Sequence, residues 1–117
     1  MRNFKELKIW QKGFEIAIKA FKLVSTFPKD EKFGISSQIT RAAVSISSNI
    51  AEGSSRTSEK DYKRFLEISL GSSFEVETQV LIATAVNFGE QEIRNKILSD
   101  IDEVQKMLIS FMNKLNK

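Results

Sequence analysis

A chain of 117 residues has room for one core and no second lobe, and with 41% hydrophobic and 28% charged residues it is too apolar for a disordered tail and too charged for a membrane protein. The formal net charge of +3 is unevenly spread: residues 1–64 hold 13 basic and 7 acidic side chains, and residues 65–117 hold 5 and 8. Such polarity either steers an acidic partner such as RNA or DNA, or an acidic protein, or is simply a solvated surface. Without cysteine or histidine, the chain has no disulfide, no thiolate or imidazole metal ligand and no His-based triad.

The opening residues alternate charges with Phe4, Leu7, Ile9 and Trp10, unlike the unbroken apolar block of a secretory signal. No apolar run approaches the roughly 20 residues that cross a bilayer. A soluble, cytoplasmic single domain over 1–117, with no membrane partner, is therefore expected. Leu7, Trp10, Phe14, Ala17, Phe21 and Val24 recur at steps of three or four, which predicts a helix over about 6–26 with these side chains inward. Phe27 and Pro28 end it, because a residue before proline is pushed out of the helical region, and the charged run Lys29 to Lys32 reads as a loop.

Ile35, Ile39, Ala42, Ala43, Ile46 and Ile50 mark a second helix over about 35–53, closing near Gly53. Its polar positions are unusually rich in serine, a mediocre helix former, so this helix should lean on tertiary packing. Ser58 with Asp61 three residues later resembles an N-cap for a third helix over about 59–87. Tyr62, Phe65, Ser69, Ser73, Val76, Val80 and Ala83 face inward in this reading, with Leu66, Leu70, Leu81 and Ile82 widening the apolar arc. Asn87, Phe88 and Gly89 close it, Gly89 in a left-handed cap, and Asn87 with Glu90 can cap the next helix. Ile93, Ile97, Ile101, Val104, Leu108, Phe111 and Leu115 define the last helix, over about 90–115. Four helices on short links predict an all-α, antiparallel up-down-up-down four-helix bundle.

Antiparallel pairing about the 54–58 turn sets Ala42 and Ala43 at the level of Gly71 and Ser73, small against small. A mid-helix Gly71 costs about 1 kcal/mol against alanine. Close packing, within the protomer or against another subunit, would offset it. The same register brings Arg41 near Glu75, as a buried bidentate pair or a weak half-exposed one, and Glu52 near Lys60 and Arg64. Asn49, Glu52 and Arg56 or Lys60 are expected to clamp the turn beside Gly53.

The run from Gln38 to Gly53, with Arg41, Ala42, Ala43, Asn49 and Glu52, followed by Gly71-Ser72-Ser73 and by Glu75 with Glu77, resembles the four-helix 23S rRNA intervening sequence proteins, also called S23 proteins. Phe4, Leu7, Trp10, Gln11, Phe27-Pro28, Glu31 and Gly34 extend the match over most of the chain. The resemblance implies a ring-like homopentamer of four-helix protomers with no established molecular function. It also implies kinship with the accessory variability proteins of diversity-generating retroelements, basic barrels that bind a reverse transcriptase and nucleic acid. This chain has Ser47 where the family usually has proline, and Ser73 and Val76 where it favours leucine.

No catalytic constellation or cofactor site emerges, and an enzyme is not expected. Glu75 and Glu77 lie about 200° apart on a helix and cannot act as a pair. Arg56, Lys60, Lys63 and Arg64 gather at the start of the third helix as nucleic-acid-binding candidates, without any base-reading motif. Trp10, Phe14, Phe21 and Phe74 are candidates for an interface between subunits. The sequence thus favours a homo-oligomeric assembly or scaffold module. The alternative is an accessory protein that binds RNA, DNA or a nucleic-acid-processing protein through a basic rim.

Overall fold

All four periodic segments are helical in the computed structural model, which describes residues 2–31 and 34–115. A 3-10 turn at Phe4–Glu6 precedes α1 (Lys8–Val24), and α2 (Ile35–Ser54), α3 (Glu59–Ala85) and α4 (Gln91–Leu115) follow. Neighbouring helices run antiparallel, and α1 packs on α2 and α4 while α3 packs on the same two, which closes the up-down-up-down bundle. The rod measures 45 × 22 × 20 Å.

Local chemistry sets the ends. Leu7 is extended, so α1 starts two residues later than its periodicity suggests, and the hydroxyls of Ser25 and Thr26 donate to the carbonyls of Lys22 and Leu23 as it ends. Ser58 caps α3 as expected, accepting from the Asp61 amide at 3.1 Å. Lys29–Glu31, expected as loop, winds into one 3-10 turn, and Lys32 lies outside the described residues. At the same end of the rod Asn87 and Gly89 both take left-handed conformations, with φ of 58° and 77°. Asn87 does not cap α4. Its side-chain oxygen instead accepts from Arg94 at 3.3 Å.

The core is built from Ile16, Leu23, Ile39, Ile46, Ile50, Leu66, Val76, Val80, Ile97, Ile101 and Leu108, each fully buried and contributing roughly 1.5–3 kcal/mol. The predicted stripes of α2 and α4 face inward, and so does that of α3 apart from half-buried Phe65. Leu81 and Ile82, expected to widen the α3 arc inward, are half exposed instead.

In α1 the predicted stripe is only partly inward: Ala17 is buried and Leu7, Trp10 and Val24 pack half-buried on the core, but Phe14 and Phe21 do not. Ile9, Gly13, Ile16, Ala17, Ala20 and Leu23 are buried, whereas Phe14 and Phe21 stand 47% and 55% exposed. Small residues win the inward face because α1 sits so close to α2. A Cβ on Gly13 would lie 3.0 Å from Ile46 Cγ2 and 3.3 Å from the Ser47 backbone nitrogen.

The serines of α2 and α3 also go into packing. Ser45 and Ser72 share a 2.8 Å hydrogen bond across the seam, and the Ser69 hydroxyl donates to the Ile46 carbonyl at 2.8 Å. Ala42, Ala43, Ser72 and Ser73 are buried, as small-on-small packing requires. Gly71 is not part of that contact. It faces outward, and a Cβ there would meet nothing within 4 Å.

Candidate functional site

Three surface features and one buried cluster make up what the fold offers chemically. The first is the α2–α3 turn. Gly53 permits it, since a Cβ there would fall 2.8 Å from the Phe65 Cβ and 3.1 Å from the Tyr62 ring. Glu52 pairs with Arg56 at 3.2 Å, as the proposed clamp required. Neither Lys60 nor Arg64 forms an ion pair with Glu52. Asn49 stands one turn back, donating to the carbonyl and hydroxyl oxygens of Ser45 at 2.8 Å each and so feeding the seam rather than the turn.

The second feature is basic. Arg56 and Arg64 both lay their guanidinium groups over Phe65, at 4.7 and 5.0 Å from the ring centre. Lys60 is exposed nearby, and Lys63 is half-buried. Arg2, which no spacing or motif marks out, joins them: its Nη1 donates to the carbonyls of Ser54 and Arg56 at 3.2 and 2.8 Å, and its guanidinium lies 4.5 Å from the centre of the Tyr62 ring. Tyr62 is buried against Phe111, and its hydroxyl has no partner among the described residues. Burial pushes that phenol up from its usual range, and the Arg2 charge pulls it partly back.

The third feature is apolar. On α1, half-buried Trp10 stacks on Phe14 at 5.1 Å, and Phe14, Ile18 and Phe21 follow one another along the open side. On α3, Gln38 of α2 helps Gly71, Phe74, Glu75 and Ile82 to line a groove of 390 Å³. Phe74 is 49% exposed. Arg41 and Glu75 are both exposed and form no ion pair, because the face of α2 that buries Ala43 and Ile46 turns Arg41 to the opposite side.

The buried cluster escaped the sequence reading. Asp100, 1% exposed, is met by Lys12 at 3.6 Å, by Lys96 at 3.3 Å and by a short contact from Lys19. Burial alone would raise its carboxyl. The hydrogen bonds from Lys19 and Lys96 and the charges of Lys19 and Lys12 outweigh burial and hold it below the usual carboxylate range. Lys12 in turn is raised, chiefly by its hydrogen bond to Glu103. Arg94 is buried without a carboxylate and donates to the Ala83 carbonyl at 3.0 Å, capping the end of α3.

Both hidden residues left a trace in the sequence. Arg94 and Asp100 fall on the apolar line of Ile97, Ile101 and Val104, where a charge is out of place.

Among the described residues no group of three or more acidic side chains could hold a metal ion, and no helix is long and apolar enough to cross a membrane. Fold and surface together define an all-α up-down-up-down bundle whose distinctive features are helix faces, a seam and one charged end. The sequence profile described as "23S rRNA-intervening sequence protein" matches residues 5–110, and the chain belongs to that family. Its fold is similar to a crystal structure of a protein with unknown function from the S23 ribosomal protein family of Bacteroides thetaiotaomicron. The two share 27% identity and a TM-score of 0.79 over 89% of this chain and 97% of the other. No curated protein matches the chain.

Proposed function

We propose that the protein is a non-enzymatic, cytoplasmic module that assembles with copies of itself and serves as a scaffold. The observation that carries this reading is the pair of unlike apolar faces on one small rod. A raised line of Phe14, Ile18 and Phe21 lies on α1, and a groove floored by Gly71 lies on α3. A monomer rarely leaves such faces in water.

A second copy fits both faces. Near Phe21 the α1 side carries Lys22 and Lys29, whereas the groove on the α3 side is lined by Glu75 and by no base. A ridge from one protomer can thus enter the groove of the next with charges complementary, a head-to-tail contact that closes into a ring. The homopentamer implied by the family resemblance is such a closed ring.

The test is the mass in solution. A multiple of the 13.3 kDa protomer is expected, near five-fold, and Phe21→Glu and Ile82→Glu should each release helical monomers. A wild-type chain that stays monomeric at high micromolar concentration would end the reading.

A second reading, that of an accessory protein binding RNA or DNA, has its own observation. Arg56 and Arg64 converge on one phenyl ring beside Lys60 and Lys63. Repeated around an assembly, this end would form a positive rim with little preference for sequence.

A further inference from the structure

We propose that Arg2 completes, with Arg56 and Arg64, a guanidinium cluster that grips the phosphodiester backbone of RNA or DNA at the α2–α3 end of the rod. The inference rests on the second reading above and assigns its most specific contacts.

Each of the three guanidinium groups is held over an aromatic ring, Arg2 on Tyr62 and the other two on Phe65. The planar guanidinium carries a fork of N–H donors that matches two phosphate oxygens, and each ring contact restricts where that fork can move before the ligand arrives. Lysines on an open helix face have no such order.

Many of these donors are unused. Among the described residues Arg64 has no hydrogen-bond or ion-pair partner, and its ring contact holds it in place. Among the described residues Arg2 uses only Nη1, on two backbone carbonyls, and pairs with no carboxylate. Arg56 gives one nitrogen to Glu52, and its buried Nε has no partner. Between Arg2 and Arg56 lies a cleft of 540 Å³, its remaining wall made by Ser54, Ser55 and Thr57. Glu59 and Asp61 are exposed at the start of α3 and temper the charge, with exposed Lys60 between them.

The opposite end of the rod is unlike this one. There the described charged residues of the two connections are Lys29, Asp30, Glu31 and Glu90, with Glu92 opening α4. Among the described residues, the charge thus favours a polyanion at the α2–α3 end.

The full chain titrated against labelled 20-nucleotide RNA and DNA, single-stranded and duplex, from about 50 to about 300 mM salt, tests the assignment. Affinity should fall steeply with salt, with a logarithmic slope of roughly 0.7 per phosphate contacted on a single strand. Arg2→Gln and Arg64→Gln should each weaken low-salt binding several-fold and flatten that slope by about one contact at unchanged mass, Arg2→Gln also lowering the melting temperature through its lost ties to Ser54, Arg56 and Tyr62, and Arg2→Lys should recover the slope. If Arg2→Gln keeps the wild-type slope while Arg64→Gln and Lys60→Gln flatten it, Arg2 is a structural tie and the inference is lost with the second reading intact. If the wild-type chain retains no nucleic acid at low salt, or polyglutamate competes as well as RNA, both are lost.

Discussion

Gly71 is the residue whose chemistry and position disagree most openly. A glycine inside α3 costs about 1 kcal/mol relative to alanine, and no neighbour in the protomer needs the missing side chain. Gly53 is the contrast, since Phe65 and Tyr62 occupy the space its Cβ would need. Gly71→Ala should accordingly stabilise the isolated protomer by about 1 kcal/mol, read by urea denaturation in the monomeric Phe21→Glu background. Gly53→Ala should destabilise it by a comparable or larger amount, because the helix backbones would have to part at the turn. In the assembling wild-type chain, a bulky Gly71→Leu should lower the mass, since the groove it fills is the one proposed to receive the neighbour's ridge. A destabilised Gly71→Ala protomer would show instead that the α3 face is already packed.

Between elements, the most consequential contact is the tie of α1 to α4 through Asp100. One buried carboxylate gathers Lys12, Lys19 and Lys96, and the acids Glu15 and Glu103 reach Lys12 from the outside. Because its pKa in the folded protein lies below the unfolded value of 3.8, Asp100 contributes stability that is complete above about pH 5. That contribution fades as pH falls through 3.8 toward the folded value. Asp100→Asn should cost on the order of 2 kcal/mol at pH 7, less than the roughly 3–5 kcal/mol of fully enclosed pairs because the lysine stems reach solvent. The deficit should shrink in acid, so melting curves of the two proteins at pH 7 and pH 3 should converge. A deficit independent of pH would mean that packing, not charge, is at stake.

This tie was hidden in the sequence because α4 carries Lys96, Asp102, Glu103 and Lys106 as well, and one more aspartate looks solvated until its place on the Ile97–Val104 line is noticed. The phase of α1 was hidden for a different reason. Ile9, Ile16 and Leu23 form one periodic line and Trp10, Phe14 and Phe21 another, and bulk alone chose the aromatic one. Periodicity sufficed for α2 and α4, whose outer faces are polar enough to leave one choice. Of the basic end, Arg56 and its companions on α3 were legible from spacing. Arg2 was not, because its approach depends on a chain reversal 52 residues away.

At the scale of the whole molecule, the two proposed roles lie at different places on one rod and should therefore be separable and yet coupled. Phe21 and Ile82 flank the helix faces, and Arg2, Arg56 and Arg64 sit at the α2–α3 end. If copies join side by side around a ring, their charged ends point the same way, and a strand of nucleic acid can engage several at once. Each further engagement is then intramolecular, and the gain from linked sites can reach 10²–10⁴ without any new contact. Phe21→Glu should thus leave the chemistry of each Arg2–Arg64 cluster untouched and still reduce affinity for a long single strand by about 10²-fold or more, while a strand short enough for one cluster should bind monomer and assembly alike. Equal affinity of monomer and assembly for both lengths would mean that the clusters act alone, and that the order imposed by assembly serves something other than the charged end.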